Sequence, residues 1–404
     1  MDFALQNKIN RRIKWLKNDG IKYVSGTVSP AESNHDYDDI ESLEKAMAYF
    51  AEKGVPALHI QPKWMGSRCQ LYLFRDEPEK CFAVSRNGYK IKLDLSHVFA
   101  DWMFIFDGIE TEVESRANAI ILDGELLPWK AIGGSLIDRE FEGLLTCVNA
   151  EVDFLEKYGL DEARKAVQNS QNAIDFITDS QAGMSKKDLQ KKYPRYETYV
   201  NFDAVEKYSI QQERNDLELY EQQLRLYARD GQIEFKAFDI LRIDFEDGTF
   251  NVDDGWLANT YLKYTTVNYK NPVPIERTGL LVTPEQVVEV AEFLDMLVVN
   301  GYEGIMIKPV DPAATDAVHC MKVRNKDYLR IIYGYDYQRE EKLKELVRKK
   351  RVGKKRKLSH HEYKLGKEML KLNWNDVDFE TKYDTIAKNL LFEIEEENTL
   401  DTRL

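Results

Sequence analysis

The sequence of 404 residues has few cysteines and no long apolar run, and each shortage excludes a class of protein. Its four cysteines lie at positions 69, 81, 147 and 320, too far apart in sequence for a typical zinc pair. We therefore expect reduced thiols in a cytoplasmic protein. No apolar run approaches the roughly 20 residues that span a bilayer, and the N-terminus lacks the apolar core of a signal peptide.

Several common catalytic motifs are also missing. There is no GxxxxGK[ST] phosphate loop, because the Gly-Lys pairs at 353–354 and 366–367 are followed by Lys and Glu. There is no HExxH, GxSxG or Cys-x-x-Cys, and the six histidines show no spacing typical of metal ligands. The sequence therefore gives no support to a P-loop kinase, a zinc hydrolase or a serine hydrolase.

The formal net charge of −13 argues against a protein that coats nucleic acid unselectively. One segment, 348–357, is nevertheless strongly basic, with eight lysines and arginines in ten residues. This basic run could guide one nucleic-acid strand toward a site, or it could be an ordinary solvated helix surface.

Strand and helix patterns alternate along the chain. Short strands are predicted within 57–147 and 233–323, whereas apolar residues recur at helical spacing within 148–230 and again from 335 onward. We predict a core over 1–334 with a helical insert at about 148–230, and a helical C-terminal module over 335–404. The local patterns also predict short strands at 23–30, 89–91 and 318–323, and a helix over 283–298 capped by Thr283.

One short stretch, Lys63–Arg68 (KWMGSR), places a lysine on a predicted turn between two predicted strands. Gly66 would let a ligand approach the backbone closely there. A desolvated lysine near other cations loses its proton readily and becomes a nucleophile. We hypothesise that Lys63 attacks the α-phosphate of a nucleotide; the alternative is a solvated lysine beside a turn.

Other predicted strands carry charged residues of the kind that such chemistry needs. Glu125 follows the apolar residues 120–122, and Glu303 opens an apolar strand. Lys322 and Arg324 share one face of a further strand, and paired cations can neutralise an α-phosphate. Each has an ordinary alternative, a strand-end turn for the carboxylates and a solvated sheet edge for the cations.

An aromatic residue and an arginine complete the candidate set. Phe238 lies on a predicted strand, on the opposite face from Phe235, and an aromatic ring is worth roughly 1–3 kcal/mol as a stacking platform for a base. The alternative is a core phenylalanine. Arg86 precedes the predicted Asn87–Gly88 turn and could hold a phosphate or face water.

Taken in order, these stretches resemble the motifs of the covalent nucleotidyltransferase superfamily of polynucleotide ligases and capping enzymes. Lys63–Arg68 matches the motif of the nucleotide-carrying lysine. The later motifs match at Asp123–Glu125, Phe238–Leu241, Glu303–Gly304 and Lys322–Arg324. Their spacing agrees except for the long gap between Glu125 and Phe238, where the helical segment lies.

Met65–Arg68 is similar in more detail to the ligase (adenylyltransferase) module of the bacterial RNA-repair family of polynucleotide kinase-phosphatases, as are residues 125–129 and 328–334. Trp64 departs from that likeness, because a histidine is expected there. The resemblance implies an α+β fold with an ATP-grasp-like nucleotidyltransferase core of antiparallel sheets. It also implies a helical insert, an all-helical C-terminal module and no OB barrel.

The resemblance implies a role for each motif residue. Lys63 would form lysyl–AMP and expel pyrophosphate from ATP. The other implied contacts are Arg68 and Glu125 with the ribose, Phe238 with adenine, Arg86 with a phosphate, Lys322 and Arg324 with the α-phosphate, and Gln61 with the adenine edge. Glu303 would position Lys63 or, like Glu125, bind a metal-bound water. Magnesium or manganese would be held mainly by phosphate and water oxygens.

The implied substrate is RNA with a 5′-phosphate and a 3′-hydroxyl end. AMP would pass to the 5′-phosphate, and the 3′-hydroxyl would displace it to seal the strand. The implied partners are an RNA 3′-terminal ribose methyltransferase and kinase and phosphatase modules, with no membrane. Two alternatives remain open, a GTP-using capping-type transferase and a non-catalytic RNA-binding scaffold module.

Overall fold

The computed structural model describes residues 3–110, 115–252 and 279–397. Within these ranges ten strands form two sheets, with the orders β1-β10-β9-β2-β8 and β4-β3-β5-β6-β7. The strands are β1 (Ser29–Pro30), β2 (Leu58–Lys63), β3 (Ser67–Phe74), β4 (Phe82–Ser85), β5 (Ala117–Leu127), β6 (Glu234–Phe245), β7 (Phe250–Val252), β8 (Leu280–Val282), β9 (Gly304–Pro309) and β10 (Met321–Arg324). Every described pairing is antiparallel except that of β1 with β10.

Helices account for most of the remaining described residues. They are α1 (Phe3–Asn18), α2 (Leu43–Glu52), α3 (Ser96–Trp102), α4 (Ile105–Glu110), α5 (Lys130–Leu136), α6 (Glu142–Lys157), α7 (Leu160–Gln168), α8 (Gln171–Gln181), α9 (Lys186–Lys192), α10 (Tyr196–Lys207), α11 (Ile210–Tyr227), α12 (Val287–Val299), α13 (Leu329–Tyr333), α14 (Glu340–Lys349), α15 (Gly353–Leu370) and α16 (Phe379–Glu397). This α+β fold, with largely antiparallel sheets, helices at its C-terminal end and no closed barrel among the described residues, confirms the predicted fold class.

The first sheet packs one face against α2 and α12. Alternate residues of its strands, such as Leu58 and Ile60 on β2, point into this core, where they meet Met47 and Phe50 of α2. That alternation is what a half-buried strand requires. Met47 and Phe50 thus lie on one buried face of α2, and Ser42 caps the helix by accepting a hydrogen bond from the Lys45 N–H.

The second sheet is covered on both faces. On β3, Leu71 and Leu73 point to α3 and α4, whereas Tyr72 between them points to a second core. That second core is formed with α1 and with the C-terminal helices α15 and α16, for example through Tyr383. The C-terminal helices thus pack directly on the sheet that contains Arg68 and Glu125.

The helical segment in the middle of the chain is longer than predicted. It begins with α5 at Lys130, rather than near 148, and ends with α11 at Tyr227. The apolar stripe of α11, which includes Leu217 and Leu224, is buried against α13 and α14. The division into a core, an insert and a C-terminal module stays a prediction.

Four local predictions need correction. Helix α12 begins at Val287, because Thr283 and Gln286 form a turn in which each backbone N–H donates to an oxygen of the other. In the segment predicted as a strand over 23–30, only Ser29–Pro30 pairs, with β10.

The other two corrections concern strand length. The hairpin turn after β4 forms, but the predicted strand 89–91 is reduced to an isolated bridge at Lys90. Strand β10 begins at Met321 rather than at Val318, whose N–H donates to the Tyr49 hydroxyl and so does not pair with β9. No helix of the described ranges is both long enough and apolar enough to cross a membrane.

Candidate active site

The stretch Lys63–Arg68 connects the two sheets. Lys63 is the last residue of β2 in the first sheet, and Arg68 lies at the start of β3 in the second. Gly66 between them passes so close to β5 that an added Cβ would lie 2.3 Å from the Leu126 carbonyl oxygen. Only glycine fits this crossing without displacing the backbone of β5.

Lys63 is held by a buried carboxylate. Its Nζ lies 2.8 Å from Glu303 Oε2, and its backbone pairs with Gly304 at the start of β9. The Glu303 side chain is buried, whereas about a fifth of the Lys63 side chain remains exposed, 21%. The amine is therefore fixed in direction but still reachable, as a nucleophile must be.

Arg68 is anchored by Asp123, a residue to which the sequence assigned no role. The guanidinium donates to both Asp123 oxygens, at 3.2 and 2.6 Å, and Gln70 donates to Oδ1 at 2.8 Å. Such a bidentate pair fixes a planar guanidinium firmly. Asp123 therefore holds the Arg68 guanidinium in place beside the crossing between the sheets, with 20% of the Arg68 side chain exposed.

Glu125 lies directly opposite Arg68 in the pairing of β3 with β5. Burial raises the pKa of Glu125 to about 7; the charge of Lys63 opposes this rise, and that of Glu303 adds to it. A carboxyl group that responds to both members of the Lys63–Glu303 pair lies in the same electrostatic environment. The two candidate carboxylates and the lysine thus belong to one site.

Phe238 on β6 presents a partly buried ring beside two cations. Lys308 Nζ lies 5.1 Å, and the Arg68 guanidinium carbon 6.0 Å, from the ring centroid. Phe235 is buried among apolar residues of the second sheet, so the predicted difference between the two phenylalanines is confirmed. Lys308, at the far end of β9, was not predicted as a site residue.

The paired cations of β10 have different surroundings. Burial lowers the pKa of the Lys322 ammonium well below its usual value, and the charge of Arg324 lowers it further. Arg324 is buried, and its Nε donates to Glu41 Oε1 and Oε2 at 3.1 and 3.0 Å. Burial would raise the pKa of Glu41, but Arg324 and Lys350 outweigh it and lower this pKa to about 2.

Arg86 lies beside the start of β3. Its backbone N–H donates to the Arg68 carbonyl oxygen at 3.2 Å, and its Nη1 donates to Thr27 Oγ1 at 3.4 Å. The structure therefore places it next to Arg68. Gln61 lies on β2 opposite Met306, two residues before Lys63.

Trp64 takes part in local aromatic contacts. Its ring meets the Tyr302 ring edge-on at a centroid distance of 4.9 Å, and Lys236 Nζ lies 5.8 Å from its centroid. These contacts give Trp64 a structural role beside the site, where the resemblance led us to expect a histidine.

The basic run 348–357 does not form one exposed track. Lys355 is buried against Glu397 at 2.6 Å, and Lys350 donates to the Ile40 carbonyl oxygen at 2.6 Å. Other members form exposed or half-exposed ion pairs, among them Lys354 with Glu396 at 2.7 Å and Arg356 with Glu32 at 2.8 Å. Several of these charges therefore hold the C-terminal helices in place.

The donor set near Lys63 suits a hydrated divalent cation better than a protein cage. Among the described residues no group of three or more histidines, cysteines and carboxylates could hold a metal ion. Glu125 and Glu303 offer carboxylate oxygens, which magnesium and manganese prefer, and Glu303 already contacts Lys63. These residues fit an ion held mostly by phosphate and water.

The chain is similar to known proteins over nearly its whole length. Residues 15–381 match the model of a family described as "PNKP adenylyltransferase domain, ligase domain". A chain of the solved "Structure of Pnkp1/Rnl/Hen1 complex" is 26% identical, with a TM-score of 0.84, covering 99% of this chain and 100% of that chain. A chain of the "Structure of the Pnkp1/Rnl/Hen1 RNA repair complex" is also 26% identical, with a TM-score of 0.81 and full coverage of both chains. No curated protein sequence matches the chain.

Proposed function

The chain belongs to the family of PNKP adenylyltransferase (ligase) domains, and on that premise we propose that it is an ATP-dependent RNA ligase that carries AMP on Lys63. The observation that carries the proposal is the contact of Lys63 with the buried Glu303 at 2.8 Å, beside Glu125 and at the crossing between the sheets. A fixed, reachable amine next to carboxylates and cations is what nucleotidyl transfer to lysine requires.

The first step is the attack of the Lys63 amine on the α-phosphorus of ATP. A nitrogen–phosphorus bond forms, the bond from the α-phosphorus to the bridging oxygen breaks, and pyrophosphate leaves. Glu303 positions the amine and can accept its proton. Lys322 and Arg324 line the same face of β10. Burial lowers the pKa of the Lys322 ammonium, and the negative charge of a bound α-phosphate would favour its protonated form, which would then balance part of that charge.

The nucleoside would lie between the sheets. Phe238 stacks on adenine, and Arg68 and Glu125 hold the ribose from opposite strands. Arg86 meets a phosphate, and Gln61 reads the adenine edge. Magnesium or manganese, bound mainly through phosphate oxygens and water, supplies positive charge near the phosphates.

The later steps seal RNA. A 5′-phosphate oxygen of the RNA attacks the lysyl–AMP phosphorus, the phosphorus–nitrogen bond breaks, and Lys63 regains its proton. The 3′-hydroxyl then attacks the activated 5′-phosphate and releases AMP. Like the chains of the solved Pnkp1/Rnl/Hen1 complexes, this chain would act with partners. We expect an RNA 3′-terminal ribose methyltransferase and kinase and phosphatase modules, in the cytoplasm.

Labelling with ATP or GTP that carries radioactive α-phosphate tests the nucleotide. We expect ATP to label the protein and GTP not to; labelling by GTP alone would instead support a capping-type transferase. A scaffold module would show no covalent label at all, and its affinity for RNA would survive Lys63→Ala.

A further inference from the structure

Helix α15 contacts both backbone polar groups of Thr27, which lies between α1 and β1. Ser359 Oγ donates to the Thr27 carbonyl oxygen at 2.8 Å, and the Thr27 N–H donates to Glu362 Oε2 at 2.8 Å. Ser359 and Glu362 are three positions apart and so lie on one face of the helix, and both are buried. The helix therefore fixes the Thr27 backbone from both sides.

Two glycines make this close contact possible. Gly26 has a φ of +60°, and an added Cβ there would lie 2.4 Å from Glu362 Oε2. On the helix, an added Cβ at Gly366 would lie 2.9 Å from the Val24 carbonyl oxygen. A side chain at either position would push α15 away from the N-terminal segment. The close contact between the helix and this segment therefore requires a glycine on each of them.

The same N-terminal segment holds Arg86. Thr27 Oγ1 accepts a hydrogen bond from Arg86 Nη1 at 3.4 Å, and the Ser25 N–H donates to the Arg86 carbonyl oxygen at 3.2 Å. Burial raises the pKa of Glu362 to about 7, while the Thr27 N–H and the charge of Arg86 oppose this rise. Glu362 and Arg86 are therefore close enough to influence one another across Thr27.

We propose that Ser359 and Glu362 of α15 are positioning residues for ATP: they fix Thr27, and the Thr27 hydroxyl orients the Arg86 guanidinium toward the phosphates. The inference rests on the proposed function, in which Arg86 is a phosphate ligand. It makes a C-terminal helix, outside the two sheets that carry the motif residues, a working part of the nucleotide site.

Kinetics of AMP transfer to the full chain test the proposal. The rate of adduct formation is measured against ATP concentration for Glu362→Ala, Glu362→Gln and Thr27→Val. For Glu362→Ala and Thr27→Val we expect the KM for ATP to rise roughly 3- to 10-fold, as expected for loss of one oriented hydrogen bond, with little change in the maximal rate. Glu362→Gln retains an acceptor for the Thr27 N–H and should return the KM close to that of the wild type.

Two variants on the same helix serve as controls. Glu368→Gln removes an exposed carboxylate, and Leu365→Ala removes a buried side chain of the core beneath α15. Leu365→Ala is expected to lower the denaturant midpoint without raising the KM. An equal rise in KM for Leu365→Ala and Glu362→Ala would mean that α15 only supports the fold, and would overturn the proposal.

A double variant gives the sharpest result. If Glu362 acts through Arg86, then Glu362→Ala should raise the KM no further in a protein that already carries Arg86→Ala. Additive effects would overturn the inference while leaving the proposed function intact. Failure of the wild-type protein to form any AMP adduct would instead refute the proposed function, and this inference with it.

Discussion

Replacement of Glu41 by alanine should weaken the fold strongly, because it leaves two buried cations without their common partner. Glu41 binds Arg324 through its carboxylate and lies 3.6 Å from Lys350 Nζ. A fall in its pKa from 4.5 to about 2 corresponds to about 3 kcal/mol of stability at neutral pH. Removal of one partner from a buried ion pair typically lowers the free energy of unfolding by about 3–5 kcal/mol, which is an independent estimate of the same effect.

The assay is urea unfolding at pH 7, followed by tryptophan fluorescence and circular dichroism. The pKa of Glu41 is lower in the folded than in the unfolded protein. The stability that it contributes is therefore fully present above about pH 4.5 and is lost as the pH falls toward 2. The difference between the wild type and Glu41→Ala should accordingly shrink as the pH falls through this range.

Two comparisons separate the ion pair from general effects of substitution. Glu52→Ala removes an exposed carboxylate from α2 and should change the free energy of unfolding by less than about 0.5 kcal/mol. Apolar replacement of Glu41 and Arg324 together, as Glu41→Leu with Arg324→Met, should recover the part of the loss that comes from Arg324, while Lys350 stays without its carboxylate partner. A loss below about 1 kcal/mol for Glu41→Ala at pH 7 would refute the reasoning.

Changes at three other places should separate nucleotide binding from folding. In the wild type, ionisation of Glu125 near pH 7 should lower the KM for ATP as the pH rises from about 6 to 8, since the carboxylate accepts the ribose hydroxyls; Glu125→Gln should abolish this trend. Phe238→Leu removes a stacking platform worth about 1–3 kcal/mol, so the KM for ATP should rise roughly 5- to 150-fold at an almost unchanged maximal rate. In urea unfolding, Lys355→Met should lower the free energy of unfolding by about 3–5 kcal/mol, because it leaves the buried Glu397 carboxylate unpaired. Lys354 is exposed, so Lys354→Met should lower it by less than about 0.5 kcal/mol.

Each of these expectations has an opposing outcome. If the KM for ATP depends on pH in the same way in the wild type and in Glu125→Gln, Glu125 does not bind the ribose. If Phe238→Leu lowers the maximal rate without changing the KM, the ring of Phe238 does not stack on the base. Equal losses for Lys354→Met and Lys355→Met would contradict the different burial of the two side chains.

Local patterns in the sequence predict the strands of the site well. The apolar runs on either side of Lys63 predict β2 and β3, and the contrast between Phe235 and Phe238 follows from the two-residue period of β6. No single motif is specific, so the prediction that these strands form one site depends on the resemblance of the whole ordered set of motifs to those of polynucleotide ligases. The first residues of β10 and of helix α12 were harder to predict, since Val318 and Thr283 form hydrogen bonds that the pattern cannot reveal.

The sequence does not predict the residues that support the site through distant contacts, and the reason is physical. Glu41 pairs with Arg324 across 283 positions of sequence, and Glu362 reaches Thr27 across 335. A single acidic residue near an apolar helix carries no signal of such a distant partner. Asp123 was closer to prediction, because it lies in the same motif as Glu125. Register pairs Arg68 with Glu125, but the sequence does not reveal that the Arg68 guanidinium binds Asp123 instead.

The mass of the intact protein after incubation with ATP and magnesium or manganese tests the central claim most directly. We predict that the wild-type protein gains the mass of one AMP, that peptide mapping places the adduct on Lys63, and that Lys63→Ala gains nothing although circular dichroism shows it to be folded under the assay conditions. An adduct that persists in Lys63→Ala, or that maps to another residue, would contradict the account.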